Sequence, residues 1–272
     1  MNEAGTTAKR FVPVIIPLSS TLAEVSASTY RSGIPAHGRV PKYYAVKALI
    51  LDEIARLEVG APLPPERDLA ARYNVARSTV RQAISELVIE GRLSAQQGRG
   101  TFVAQPKLIH PLSLASYTES LRALGHQPSR TVIAFEEIPA DDEIAAALAI
   151  EPGAPVIRLE RVLLADGEPL GLETTYLSAQ RYPTLLDVFE PSASLYRCLQ
   201  DELGVVFAEA TERIETALAS PREALLLQTN PALPMLLMQR LSRDPSGTPI
   251  EQVRSLYRGD RIGFETHLVA ER

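Results

Sequence analysis

The clearest pattern in the chain is the spacing of apolar residues between Pro41 and Val103. In "KYYAVKALILDEIARLEVG", Tyr44, Val46, Leu49, Ile50, Ile54 and Leu57 recur three and four residues apart before Gly60, which predicts an amphipathic helix. After the turn "APLPP", Pro65 suits the first position of a second helix, "PERDLAARYN", where its missing N–H is not needed. Asn74-Val75-Ala76 then makes a tight turn. A third helix, "RSTVRQAISELVIEG", carries the buried stripe Val80, Ile84, Leu87 and Val88 and stops at Gly91. "RLSAQQGRGTFVAQ" reads as two short strands around the tip Gly98-Arg99-Gly100. Helix, helix, tight turn, helix and glycine-tipped hairpin is the order of a winged helix-turn-helix.

On either side the pattern changes. Residues 1–38 are rich in Ala, Ser, Thr and Gly without a sustained period, and a disordered tail is expected. The winged-helix domain spans residues 39–103, and residues 104–114 ("AQPKLIHPLSL") are expected to be a linker with two prolines. Residues 115–272 alternate strands with short helices. Helices are predicted at Tyr117–Leu124, Asp141–Leu148, Pro183–Val188 and Ser194–Leu203, with another opened by Pro221. Strands are predicted at Thr131–Glu137, Val156–Ala165, Pro169–Ser178, Phe207–Leu218, Pro234–Arg243, Pro249–Tyr257 and Ile262–Leu268. The fold class is therefore α+β, with a mainly antiparallel sheet in the second domain.

A weak internal echo links two predicted hairpins. "RVLLADGEPL" from Arg161 resembles "RLSRDPSGTPI" from Arg240, and each returning strand carries a glutamate at an even offset from its proline. Residues two apart share a strand face, so Glu173 and Glu251 are expected on one face, with Tyr257 beside them. Glu160 alternates to the face opposite Arg161.

Charge sharpens the division. The whole chain has a formal net charge of −5. From Arg39 to Lys107, however, 11 Lys/Arg stand against 7 Asp/Glu, a net of +4 that leaves −9 for the remainder. A basic module facing nucleic acid, joined to an acidic one, is the expected arrangement. The outward side of the third helix offers Arg77, Ser78, Thr79, Arg81, Gln82 and Ser85. Arginine can read guanine edges bidentately, while Ser and Thr reach phosphates or bases. Arg67 is placed to grip phosphate from the second helix. In the wing, Gly98 permits close backbone approach and Arg99 brings charge.

Other chemistry is thin. The single cysteine, Cys198, excludes an intrachain disulfide, fits a reducing cytoplasm and suits a buried apolar role in a helix. The histidines, His37, His110, His126 and His267, are scattered, so neither a metal nor a cofactor is expected. No apolar run approaches the ~20 residues of a spanning helix. "FVPVIIPLSS" is short and broken by Pro13 and Pro17, so no signal peptide is expected.

"LPPERDLAARYNVARSTVRQAISELVIEGRLSAQQGRGTFV" (Leu63–Val103) closely resembles the DNA-binding domain of GntR-family bacterial transcription regulators. One departure is Ala76, where the family often has a serine capping the recognition helix. The remainder resembles the UTRA sensor domain of the HutC subgroup, and is most similar to NagR/DasR-type amino-sugar regulators. The matching stretches are "YTESLRALG", "VIRLERVLLADGEPLGLETTYL", "SLYRCL" and "PIEQVRSLYRGDRIGF". The resemblance implies a chorismate-lyase-like sensor fold, a homodimer, a palindromic double-stranded operator and a phosphorylated amino sugar as effector. It implies an effector site of Tyr117 and Thr118 at a helix start, Arg161, Ser194 and Tyr196 around an anionic group, and Glu173, Glu251 and Tyr257 around the sugar. Arg254 belongs to the same set but falls on the opposite strand face by alternation. In such relatives the Arg161 strand reads R-x-R; here it reads Arg161-Val162-Leu163, so Leu163 replaces a second cation.

A ligand-responsive, DNA-binding regulator acting as a repressor is the expected function, with ligand repositioning the winged helices through the linker. One alternative is a regulator with a different effector or none, because of Leu163. Another is a lyase or glycoside-processing enzyme using Glu173 and Glu251 as its carboxylate pair. A third reading makes Arg161 and Glu173 an ordinary cross-strand ion pair. Nothing supplies a nucleophile with an adjacent base, and no enzyme is expected.

Overall fold

A computed structural model of the chain describes residues 41–96, 98–114 and 117–268. The expected tail at residues 1–38 lies outside the described residues. Three helices come first: α1 (Lys42–Ile54), α2 (Glu66–Tyr73) and α3 (Arg77–Ile89). Val46, Ile50 and Ile54 of α1 close on Leu69 of α2 and on Val80, Ala83, Ile84 and Leu87 of α3. Tyr44, Leu49 and Leu57 stay exposed, so the apolar stripe of α1 is narrower than its sequence spacing predicts. Lys47 ties α1 to α3 through Glu86 and Glu90 at 2.9 and 2.5 Å. The turn between α2 and α3 passes through Asn74 at φ 52°, a left-handed conformation that asparagine tolerates. Strands β1 (Leu93–Gln96) and β2 (Gly100–Val103) pair antiparallel as the wing.

The segment expected to be a plain linker contains a strand, β3 (Leu108–Pro111). It pairs in parallel with β10 (Ile262–Glu265). Its partner is distant in sequence and it is only four residues long, which is why its prolines dominate the sequence pattern.

The second domain is built on six antiparallel strands in the order β4-β5-β6-β9-β8-β7. These are β4 (Pro128–Pro139), β5 (Pro155–Ala165), β6 (Glu168–Ser178), β7 (Glu209–Leu218), β8 (Pro234–Arg243) and β9 (Pro249–Arg258). The echo read in the sequence has a structural counterpart. Each half is a strand, a short capped helix and a hairpin, and the halves meet where β6 pairs with β9. The helix of the first half is α5 (Asp142–Leu148), capped by the Asp141 carboxylate; α4 (Tyr117–Ala123) precedes β4. Between the halves, α6 (Leu185–Val188) and α7 (Leu195–Arg197) cover Ile157, Leu159 and Leu177, and α7 continues as a π turn at Cys198–Glu202. In the second half, Ser220 and Glu223 form a capping box on α8 (Pro221–Leu226).

The two sheet faces differ. Val162, Leu172 and Leu256 form an apolar layer with Ala224 of α8 and Leu227 just beyond it. The face holding Arg161, Glu173 and Glu251 is polar at its centre. Glycine permits two close approaches. A Cβ on Gly171 would meet the Tyr257 ring at 2.6 Å, so this glycine lets the ring lie flat across β6. A Cβ on Gly91, just beyond α3 at φ +70°, would fall 2.2 Å from the carbonyl oxygen of Asp260. Lys107 donates to the carbonyl of Gly259 in the same β9–β10 turn, at 2.6 Å.

Candidate functional site

Two sites stand out. The first is the outer side of α3. Val80, Ala83, Ile84 and Leu87 face inward, so Arg77, Ser78, Arg81, Gln82 and Ser85 are left exposed and Thr79 half-buried. Arg81 is oriented by Glu66 of α2, with Nε 3.1 Å from Oε1 and Nη2 2.7 Å from Oε2. Arg67 is exposed and pairs with Asp68 at 3.0 Å. Ala76 is the extended N-cap of α3, and no side chain caps the helix there. Ser78 lies inside the first turn and does not replace the missing cap. Gly98 takes φ +72° at the wing tip, beside exposed Arg99.

The second site is a cavity of about 80 Å³ on the polar sheet face. Arg161 on β5, Glu173 and Thr175 on β6, Arg240 on β8, and Glu251, Val253, Ser255 and Tyr257 on β9 line it. Ser194 and Tyr196 close one side, and His110, Pro111, Leu112 and Ser113 another. Strand alternation therefore gathers Arg161, Glu173, Glu251 and Tyr257, and Tyr117, Ser194 and Tyr196 join them from the short helices.

Two expected residues lie elsewhere. Arg254 points to the opposite face and pairs with Glu223 of α8 at 2.9 Å, because odd and even positions of β9 face opposite ways. Thr118 is buried behind the cavity, and its hydroxyl accepts from Arg130 Nη2 at 2.7 Å. Glu160 is also on the far face, where Arg222 donates to both its oxygens at 2.8 Å.

Electrostatics separates the lining groups. Arg161 is 3% exposed; its Nη2 lies 2.6 Å from Glu173 Oε1, and Nη1 donates to the Ala193 carbonyl at 3.1 Å. Arg240 Nη2 donates to Glu212 Oε2 at 2.9 Å and to the Ser113 carbonyl at 3.2 Å. Arg130 has no carboxylate within ion-pair distance among the described residues. Burial, followed by the like charge of Arg161, pulls it down to about 10. Glu251 is fully buried, and burial pushes it up to about 7. Tyr196 and Ser242 donate to its Oε1 at 2.5 and 3.0 Å, while Oε2 has no partner. A cation without a carboxylate and an acid with an unpartnered oxygen thus line one cavity. That combination suits a ligand carrying an anionic group and a hydrogen-bond donor.

Leu163 is fully buried against Leu121, Leu170 and Tyr257. Across the sheet its register partner is Arg130 on β4. A second arginine therefore lines the cavity from the neighbouring strand. The sequence reading missed Arg130, Arg240 and His110 as lining residues; only Arg240 carried a signal, as the start of the internal echo.

The chain matches the family model for "Bacterial regulatory proteins, gntR family" over residues 42–103 and that for "UTRA domain" over residues 123–262. It is 45% identical over 226 residues to the HTH-type transcriptional repressor PhnF of Mycolicibacterium smegmatis, covering 83% of this chain and 92% of that protein. Identity to the HTH-type transcriptional repressor NagR of Bacillus subtilis is 32% over 228 residues, covering 83% and 93%. The resemblance is thus stronger to PhnF than to NagR. The crystal structure of PhnF from Mycobacterium smegmatis aligns with a TM-score of 0.61 at 44% identity, over 83% of this chain and all of that one. Its effector domain alone aligns with a TM-score of 0.58, over 60% of this chain and all of that one. These relatives are transcription regulators, and the enzyme reading falls with that finding. No helix among the described residues is long and apolar enough to cross a membrane.

Proposed function

Because the chain belongs to the GntR family of bacterial regulators and carries a UTRA domain, we propose that it is a homodimeric repressor of a palindromic operator whose effector is a phosphorylated amino sugar. The observation that carries the effector reading is Arg130, which faces the cavity beside Arg161 without a carboxylate of its own. A phosphate there gains charge-assisted hydrogen bonds from Arg130 and Arg161, with Ser194 and Tyr117 at its edge. Glu173 and Glu251 then accept from the amino group or hydroxyls of the sugar, and Tyr257 packs beside the ring. Glucosamine 6-phosphate and N-acetylglucosamine 6-phosphate are the candidates.

On the DNA side, the exposed end of α3 enters the major groove, and the wing reaches the adjoining backbone. Arg77, Ser78, Thr79, Arg81 and Gln82 read or position, Arg67 grips phosphate, and Gly98 and Arg99 serve the wing. A dimer sets the spacing of two such helices against successive major grooves. The ligand shifts that spacing only by binding the two arrangements with different affinity.

The cavity supports a coupled mechanism. At about 80 Å³, it is well below the ~300–1,000 Å³ typical of small-molecule sites. A sugar phosphate therefore requires a wall to move. The wall formed by His110–Ser113 belongs to the segment joining the two domains.

The test is fluorescence anisotropy with a labelled duplex from the region upstream of the protein's own gene. Sequence-specific, salt-sensitive binding is expected, and glucosamine 6-phosphate is expected to change it. Binding no tighter than to scrambled DNA sinks the repressor reading. Specific binding that is indifferent to both sugar phosphates sinks the effector assignment alone.

A further inference from the structure

The wall of the cavity nearest the DNA-binding domain holds a side chain with no role so far. His110 sits on β3, in the chain between the wing and α4. Its ring stacks on Tyr117 at 6.1 Å and 18° and meets Phe264 edge-on at 5.8 Å and 66°. Both ring nitrogens are shielded from solvent and lack a hydrogen-bond partner. The Pro111 backbone favours the charged form of the ring. Aromatic packing explains where the ring lies. It does not explain why the ring carries nitrogens, since phenylalanine would pack there without leaving a donor and an acceptor unmet.

We propose that His110 contacts the effector directly, which makes the segment joining the two domains part of the binding site. This rests on the effector reading above. The ring borders the same cavity as Arg130 and Arg161. A neutral imidazole offers one N–H and one acceptor nitrogen, a match for a sugar hydroxyl or a phosphate oxygen. Burial holds the ring toward this neutral form, with Arg240 acting in the same sense and Glu212 against it. The consequence is geometric. A ligand reaching His110 touches a strand whose start lies five residues beyond the wing strand β2. Widening the cavity on this side displaces that strand, because β3 and the Ser113 carbonyl held by Arg240 form the wall.

The experiment uses the full chain. Wild type, His110→Phe and Arg130→Gln are titrated calorimetrically with glucosamine 6-phosphate and, separately, inorganic phosphate. Ring nitrogens of ¹⁵N-histidine-labelled wild type are followed by NMR through the same titrations, with His110→Phe identifying the signal. The expected result is at least tenfold weaker sugar-phosphate binding by His110→Phe, and a His110 ring signal that moves on saturation. If Arg130→Gln loses binding while His110→Phe stays within twofold of wild type, His110 is not a contact and the effector reading stands. Weakened binding by His110→Phe with an unmoved ring signal in wild type also overturns the proposal, because it assigns the ring to holding the linker in place. Wild type that binds neither ligand removes the effector reading and His110 with it.

Discussion

On the outer face of α3 the arginines stand in water; around the cavity the charged side chains are buried, and the same residue types behave differently. Arg81 and Glu66 make a well-aligned pair, yet the arginine side chain is 67% exposed. Arg161 and Glu173 make a pair of similar length with side chains only 4% and 16% exposed. The exposed pair costs little to form and little to break, so its arginine can exchange a carboxylate for a DNA phosphate. The buried pair is held in place because either member alone would be an uncompensated charge. The exposed pair is free to trade partners, whereas the buried pair fixes the geometry of its own part of the cavity wall.

The largest expected effect comes from breaking the buried pair. Glu173→Ala should destabilise the protein by about 3–5 kcal/mol, while Glu66→Ala should stay within about 1 kcal/mol. Urea unfolding followed by circular dichroism measures both, and equal losses would erase the contrast between the two regions.

Glu251 sharpens it next. Its carboxyl holds a proton more tightly in the folded protein, with a pKa of about 7 against an ordinary 4.5. Its contribution to stability is therefore complete below pH 4.5 and falls away as pH rises to about 7. Glutamine does not titrate and keeps an acceptor for Tyr196 and Ser242. Glu251→Gln should thus gain stability over wild type as pH rises, by up to about 3 kcal/mol above pH 7, with no gain below pH 4.5. A stability difference that is flat across this range would contradict a raised Glu251.

Smaller effects belong to the exposed region. Arg81→Ala should leave stability almost unchanged, weaken operator binding by about 1–3 kcal/mol and, if it meets a phosphate, lower the salt slope by about one. Unchanged operator affinity would remove Arg81 from the interface. Ala76→Ser should stabilise the protein by about 1 kcal/mol by restoring an N-cap to α3. A melting temperature no higher than wild type would show that the cap geometry at this position is not usable.

The same contrast explains what the sequence made legible. Helical periodicity is local, so the buried stripe of α3, and with it the exposed face carrying Arg77 and Arg81, could be read from neighbouring residues. The cavity needed more. Alternation along single strands placed Glu173, Glu251 and Tyr257 together and turned Arg254 away, although the family resemblance had included it. Arg130 escaped because its place depends on which residue it faces across β4 and β5, and strand register is not written in either strand alone. Leu163 looked like a lost cation for the same reason. Its register partner is the arginine that supplies one. His110 escaped because β3 pairs with a strand near the far end of the chain.

Gly91 ends the recognition helix against the Asp260 carbonyl with no side chain between them. The seam bears on how such regulators could be recombined. Replacing the sensor with that of a relative would keep the helix intact only if the transferred turn around Asp260 again fits against bare backbone. A join in the proline-rich stretch between the two domains is therefore not enough by itself: the incoming parent must also bring a turn that fits Gly91 as the one around Asp260 does.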